Sequence, residues 1–455
     1  MHKEIIVTID IGSSKIIAAA GEKDEKGIIR ILALEMEATK TSVRRGRIYN
    51  VGEVSRKINS LLNRLNRKLG EKIAKIYVGV GGQSLMTETY PVMEETKGYI
   101  INEQLLQSLR EKCENYHPVF QEVLDVVSPE YFLNGKSEEN PIGVSCEKIE
   151  AQFKLIMGNP SIKRNIDMCI SNNNIEVAGY FIAPIATANA TLTDLEKNLG
   201  CALIEFGAGV TYLSVYKNNL LKYLVTIPIG ANVITKDIAH LSIVDEEAED
   251  LKITYGHALV DGKKDDDYPV KVTTNSKEIN TEDLNDIIEA RVDEIIANIK
   301  KQLEISGFSD ALGSGIIITG GGAALKNLAE SIEGKTKLNV RIANIKEELI
   351  NKDSSEYREL SGIEETVGLL SLGTKNCIKE IEKPVMPPVP PEQTEPLDIF
   401  GQPIHPVKKG GKRQLRETPK TRGGLIEKLK RKVVEASGSL FEGLDSVNEE
   451  EEDEN

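Results

Sequence analysis

Two short stretches of this chain carry the residue types that handle phosphate. In IVTIDIGSSKIIAAAG an apolar strand ends on Asp10 and turns through Gly12, Ser13, Ser14 and Lys15 into a second apolar strand. In CALIEFGAGVTYLSVY another apolar strand ends on Glu205 and turns through Gly207, Ala208 and Gly209 towards Thr211. Small residues in a tight turn leave backbone N–H groups open to an anion. Serine hydroxyls add donors, and a lysine ammonium adds a charge-assisted one. A carboxylate at the end of each first strand stands where a phosphate-bound cation needs oxygen or water ligands. One Gly-Ser turn between β-rich strands usually serves only to reverse the chain. Two in matching context describe a clamp that grips one phosphate chain from both sides.

A third element, GIIITGGGAALKNL, brings the apolar strand Ile316–Thr319 to Gly320, Gly321 and Gly322 ahead of a helical pattern, so that backbone can pass close to a nucleoside. Its ordinary alternative is a Gly-rich strand-to-helix turn. The elements that must position these turns alternate between strand and helix up to about residue 380, which is the pattern of an α/β fold. Around residues 53–69, Val54, Ile58, Leu61, Leu62 and Leu65 recur at helical spacing. Over 284–303, Ile287, Ile288, Val292, Ile295, Ile296, Ile299 and Leu303 do the same. Both stripes face a core rather than a cofactor.

Composition sets bounds on these readings. Hydrophobic residues make up 40% and charged residues 28% of 455 residues, which is ordinary for a globular chain of roughly two to four units. Cys113, Cys146, Cys169, Cys201 and Cys377 are widely spaced, without a CxxC or Cys/His pairing, and read as reduced thiols. No apolar run approaches the ~20 residues that cross a bilayer. The start MHKEIIVTIDIG has no signal-peptide shape, so export is not expected. A net charge of −14 argues against nucleic acid as a general partner. That acidity is uneven, since the chain ends in EEEEDEN while residues 408–432 are strongly basic.

The organisation changes near residue 380. Between Pro384 and Pro406 lie 8 of the 17 prolines, which predicts an extended linker. Beyond it, GGLIEKLKRKVVEASGSLFEGL places Leu425, Leu429, Val433, Ala436, Leu440 and Leu444 at i, i+3 and i, i+4 spacing. Ile426, Val434 and Phe441 widen that stripe, and Lys428, Arg431 and Lys432 flank it. A basic amphipathic helix behind a long linker has no core nearby and is suited to an anionic membrane surface. Gly438 weakens the helix by roughly 1 kcal/mol, so it is expected to form on contact with lipid.

The two hairpins and the third turn resemble the actin, Hsp70 and sugar-kinase superfamily. Within it, SVRRGRIYNVGEVSRKINSLL, KIYVGVGGQSL, the stretch EVLDVVSPEYFLNGKSEENPIGVSCEKIEAQFKLIMG and LVTIPIGANVITKDIAHLSIVDEEAEDLKITYGHAL are similar to the FtsA family of bacterial cell-division proteins. The resemblance covers about residues 1–378 and the C-terminal helix. It implies an actin-like fold of two ribonuclease-H-like lobes. The first core would take 1–82 and 162–199, with an inserted subdomain at 83–161. The second core would take 200–230 and 310–378, with an insert at 231–309. A linker at 379–422, a membrane-targeting helix at 423–445 and an acidic tail at 446–455 would follow.

The resemblance further implies ATP with Mg2+ between the lobes. Ser13, Ser14 and Lys15 would meet the phosphates, Asp10 would orient the hydrated metal, and Glu205, Gly207, Ala208, Gly209 and Thr211 would close from the second lobe. Gly320, Gly321 and Gly322 would approach adenosine. Lys252 would reach the base or ribose, or else be a solvated helix position. Implied partners are FtsZ through the second-lobe insert, further copies in a filament, an anionic inner-membrane surface at the septum, and later divisome proteins. Competing readings are a PilM-like structural relative and a sugar or acetate kinase. Three positions depart from the superfamily pattern: Glu205 replaces Asp, Tyr212 stands where relatives carry another Asp, and Ala183 precedes Pro184 where Glu is usual. In relatives such as Hsp70 that Glu lies near the attacking water, so weak or absent ATP hydrolysis is expected.

Overall fold

The computed structural model describes residues 4–379 except 172, 174, 260–270, 275–276, 352, 355–356, 358–359 and 361. The expected linker, amphipathic helix and acidic tail therefore lie outside the described residues. Strands β1 (Glu4–Ile11) and β2 (Lys15–Lys23) form an antiparallel hairpin in which Ile11 faces Ile16, and β3 (Ile29–Ala38) pairs with β2. A two-rung hairpin, β4 (Val43–Arg44) with β5 (Arg47–Ile48), leads into α1 (Val51–Leu69). Asn50 caps α1 by accepting from Glu53 N–H, and Gly70 ends it in left-handed backbone. The helix buries Val54, Ile58, Leu61, Leu62 and Leu65 against the sheet, each contributing roughly 1.5–3 kcal/mol over exposure.

After β6 (Lys75–Val80), parallel to β1, comes an inserted layer: β7 (Met86–Glu95), α2 (Glu103–Glu114), β8 (Glu122–Leu133), β9 (Lys136–Glu138) and β10 (Lys148–Gly158). Strand β10 lies between β7 and β8, antiparallel to both. This layer has a core of its own, with Leu109 and Cys113 of α2 packed on Ile149, Phe153 and Leu155. Helix α3 (Ser161–Ser171) and β11 (Glu176–Ile182) complete a first sheet ordered β11-β6-β1-β2-β3.

The second half repeats that plan. Helices α4 (Ala183–Thr191) and α5 (Asp194–Leu199) lead to the antiparallel strands β12 (Cys201–Phe206), β13 (Thr211–Lys217) and β14 (Leu220–Ile227). Helices α6 (Ala231–Ala239) and α7 (Asp245–Tyr255), the short pair β15 (Lys271–Thr273) and β16 (Glu278–Asn280), and α8 (Thr281–Ser306) follow. Then come β17 (Ile316–Thr319), α9 (Leu328–Thr336) and β18 (Val340–Ile342), with β17 parallel to both β12 and β18. The order β18-β17-β12-β13-β14 matches that of the first sheet, strand for strand. Two lobes of one plan, with helices packed on their sheets, make this an α/β, actin-like fold.

Two features depart from the expected division of the chain. The second sheet does not stop at β14: Val225 pairs with Met86, and Thr226 donates from N–H to the Leu85 carbonyl at 2.9 Å and from Oγ1 to the Gly82 carbonyl at 2.9 Å. The inserted layer thereby extends the second lobe's sheet. Helix α10 (Glu364–Leu372) and the segment after it, expected with the second core at 310–378, pack instead on the first lobe. A Cβ on Gly368 would lie 1.9 Å from the Ala186 carbonyl oxygen, so glycine alone lets α10 cross α4 this closely. Cys377 N–H then donates to the Ile5 carbonyl at 2.8 Å.

All five cysteines are buried and unpaired. Among the described residues no helix is long and apolar enough to cross a membrane.

Candidate functional site

The two phosphate-type turns have one construction. Gly12 N–H donates to the Lys15 carbonyl and Gly207 N–H to the Val210 carbonyl, both at 3.0 Å, closing a four-residue loop at the end of each hairpin. The loops face each other. A Cβ added to Gly209 would lie 2.4 Å from Ser13 Oγ and 2.8 Å from Ser13 Cβ, so the lobes approach this closely because position 209 has no side chain. Behind them opens a cavity of about 420 Å³. That volume is in the range of small-molecule sites.

The cavity brings together Asp10, Gly12, Ser13, Ser14, Lys15, Glu205, Gly207, Ala208 and Gly209 from the two hairpins, Gly320, Gly321 and Gly322 from the third turn, and Lys252 from α7. Thr211 is elsewhere. Its side chain is fully buried and its hydroxyl donates to the Ile229 carbonyl at 2.8 Å, so it is not available to phosphate. Strand parity explains this. Glu205 and Tyr212 are cross-strand partners on the cleft side, and Thr211, one residue along, pairs with Phe206 and faces the other way.

Gly320 holds a left-handed φ of 87°, and a Cβ there would stand 2.6 Å from the Phe206 carbonyl oxygen. A single 3-10 turn, Gly321–Ala324, follows β17, and α9 starts only at Leu328, after Asn327 in left-handed backbone. The helix therefore begins later than the pattern after the glycines implies. Lys252 is not a solvated helix position. Its ammonium donates to Glu249 Oε2 at 2.6 Å, to Thr235 Oγ1 at 2.9 Å and to the Ala231 carbonyl at 3.4 Å, holding α7 on α6 at the cavity wall.

Four acids, Asp10, Glu205, Glu364 and Glu365, line the cavity. Burial pushes the Asp10 carboxyl up to about 7 against the pull of the Lys15 ammonium. Burial likewise lifts Glu205 to about 8, with repulsion from Asp10 and Glu364 adding to it. Glu365 is raised well above the usual carboxylate range by burial and by repulsion from Asp10 and Glu205. Glu364 is raised by burial too.

Glu205 Oε2 is buried without a protein partner, as a ligand or ordered water would require. Among the described residues no three His, Cys, Asp or Glu side chains form a direct metal cage. The set fits a hydrated divalent ion held through water and phosphate oxygens, with Asp10 and Glu205 as outer acceptors.

Several cavity residues were not legible as site residues: Gly46, Thr187, Glu249, Gly362, Glu364 and Glu365. The signal for the last two was the pair of adjacent acids opening an otherwise apolar helix just after Gly362. Two of the three departures from the superfamily pattern also gain a setting. Tyr212 Oη accepts from Gly82 N–H at 2.7 Å, and burial holds the phenol well above its ordinary range. Ala183, the first residue of α4, presents a methyl to the cavity.

Comparison with known proteins places this geometry in a family. A family model described as "Cell division protein FtsA" matches residues 202–361. "Cell division protein FtsA" of Porphyromonas gingivalis is 32% identical over 383 residues, covering 82% of this chain and 79% of that protein. The Bacillus subtilis protein of the same name is 31% identical over 359 residues, 75% of this chain and 79% of that protein. Among solved structures, a chain of a "PilM-PilN type IV pilus biogenesis complex" superposes with a TM-score of 0.57 at 15% identity, covering 80% of this chain and 97% of that chain. That likeness speaks for the fold alone. With the duplicated lobes, the facing turns and relatives matched over most of its length, the chain belongs to the FtsA family of actin-like cell-division proteins.

Proposed function

We propose that the cleft binds ATP with Mg2+ and that the nucleotide governs assembly of this protein into membrane-bound filaments that anchor FtsZ at the division septum. The observation that carries the first step is the contact of the two turns. With Gly209 against Ser13, backbone N–H groups of both lobes, two hydroxyls and the Lys15 ammonium surround one space. A polyphosphate there bridges the lobes, so its binding is coupled to their relative position. Bound Mg2+ would neutralise phosphate charge. Asp10 and Glu205 would hold its water shell, and the three glycines after β17 would admit the nucleoside.

Turnover on this reading is slow. Tyr212 occupies one position where relatives carry an acid and Ala183 another, so the residues that would orient an attacking water are missing from both. ATP then acts as a conformational and assembly ligand. Steady-state hydrolysis by the pure protein is expected below the ~1–100 per second of typical kinases.

Attachment to lipid is assigned to the sequence stripe Leu425, Leu429, Val433, Leu440 and Leu444 with its flank Lys428, Arg431 and Lys432. Lysines and arginines near an anionic leaflet add about 1 kcal/mol each. Many such anchors joined in a filament hold more firmly than one. The FtsZ contact is assigned to the second-lobe insert at 231–309. Two of its cations are already engaged: Arg291 pairs with Asp237 and Glu294, and Lys300 donates to the Lys335 carbonyl.

The test is calorimetric titration of ATP with and without Mg2+, joined to co-sedimentation with anionic liposomes and purified FtsZ. ATP is expected to bind in a Mg2+-dependent way. FtsZ is expected to pellet only with the full chain, and deletion of 423–444 or Leu429→Glu with Phe441→Glu is expected to leave the protein in the supernatant with ATP binding intact. Pelleting of those variants in a non-polymerising background would overturn the membrane assignment.

A further inference from the structure

The sequence Val43-Arg44-Arg45-Gly46-Arg47 puts three arginines on one small hairpin, and the structure gives each a different situation. Arg44 lies over the Tyr49 ring, 3.9 Å from its centroid, and Arg47 donates from Nη2 to Ser161 Oγ at 2.7 Å. Arg45 is exposed and, among the described residues, its side chain has no hydrogen bond or ion pair.

Its backbone is also unusual. Pairing of Val43 with Ile48 and of Arg44 with Arg47 leaves Arg45 and Gly46 as a two-residue turn, with φ of 50° and 70°. Turns with two positive φ values favour Asn, Asp or Gly at the first position, and arginine brings no conformational advantage there. Asn fills the left-handed position in two other turns of this chain, at Asn134 and Asn218, and Lys97 fills it before Gly98 in a third.

The apex of this hairpin touches both phosphate-type turns beside the point where they meet. Gly46 N–H donates to Ser13 Oγ at 2.8 Å on one side. On the other, a Cβ at Gly209 would lie 3.1 Å from Arg45 Cα. The Arg45 carbonyl accepts from Gln83 N–H at 3.1 Å, which fixes the turn to the end of the first lobe's sheet. Gly46 lines the cavity, and the exposed Arg45 side chain next to it stands outside that lining.

We propose that Arg45 is a phosphate-discriminating residue. Its guanidinium pairs with the terminal phosphate of a nucleoside triphosphate bound between the turns, and finds no such partner when a diphosphate is bound. This rests on the reading of the cleft as a nucleotide site. A planar guanidinium matches two phosphate oxygens at once, so it favours the triphosphate, which carries the extra charged group, over the diphosphate.

The experiment measures Mg2+-ATP and Mg2+-ADP affinities of the full chain, wild type against Arg45→Asn, Arg45→Lys and the control Arg44→Ala. Asparagine suits the turn, so Arg45→Asn is expected to keep or raise the thermal midpoint. It is also expected to weaken ATP binding by about tenfold or more, with ADP affinity unchanged within about twofold. Arg45→Lys retains charge without the fork and is expected to fall between, and Arg44→Ala is expected to match wild type. Wild-type affinity for both nucleotides, with the ATP-to-ADP ratio unmoved in Arg45→Asn, overturns this role and leaves the nucleotide reading standing. Failure of the wild type to bind either nucleotide overturns both.

Discussion

The two hairpin turns share a backbone and differ in chemistry. Both close four residues with one N–H to carbonyl bond at 3.0 Å, and both follow an acid at the end of a central strand. The first, Gly12 to Lys15, presents two hydroxyls and an ammonium. The second, Gly207 to Val210, presents backbone alone. Partners across the hairpins differ as well, with Ile17 opposite Asp10 and Tyr212 opposite Glu205. The difference assigns separate tasks to one loop shape. On the proposed reading the first turn would neutralise phosphate charge and the second would supply surface and N–H groups, while Tyr212 ties the lobes through Gly82.

The largest expected effect breaks both turns at once. Lys15→Ala removes the charged donor, and Gly209→Asp forces a carboxylate into the space of Ser13. Each loss of a charged contact costs about 1.5–3 kcal/mol, so the double variant is expected to show no ATP binding by calorimetry. Undiminished affinity would end the assignment of the two turns as a clamp.

Next in size is the pH dependence of the buried acid. Glu205 has an ordinary value of 4.5 and a folded value of about 8, so the folded protein holds a proton that the unfolded chain has released. Its contribution to stability is fully present below about pH 4.5 and is lost as pH rises through about 8. In nucleotide-free protein, Glu205→Gln is expected to flatten that decline, gaining on wild type at pH 8 and not at pH 4.5. Every tenfold difference in proton affinity between the folded and unfolded chain is worth about 1.4 kcal/mol, a size that denaturant titrations at the two pH values resolve. Parallel curves for the two proteins would contradict it.

A smaller effect is expected on the Tyr212 side. Tyr212→Phe leaves the Gly82 N–H without its acceptor and is expected to cost about 1–3 kcal/mol in unfolding free energy. An unchanged denaturation midpoint would show that the tie between the lobes carries little.

The smallest effect sharpens the boundary of the site. Thr211→Val removes the bond to Ile229 and is expected to lower stability by about 0.5–1.5 kcal/mol while ATP affinity stays within about twofold. A larger loss of affinity would restore Thr211 to the phosphate contacts.

The amino-acid sequence alone determined the local elements of this protein. Strand β17 runs over the residues that its apolar run indicates, and α1 and α8 carry the expected buried stripes, with Ile287 of α8 only half-buried. Helix α8 extends beyond 284–303 because Asn280 caps its start and Gly307 ends it, signals that lie in the flanks rather than in the stripe. Both glycine turns were legible because the chemistry of a close backbone approach is written in consecutive residues.

Only the tertiary structure decided which distant residues share the cleft. Gly82 and Tyr212 are 130 positions apart, and α10, which crosses α4 at Gly368, brings Glu365 to Asp10 and Glu364 to Glu205. Lys252 could be told from a solvated lysine only once α7 lay against α6. Local spacing fixes turns and stripes through backbone sterics and side-chain periodicity, whereas the burial that shifts a carboxyl or occupies an ammonium arises only when separate elements exclude water together.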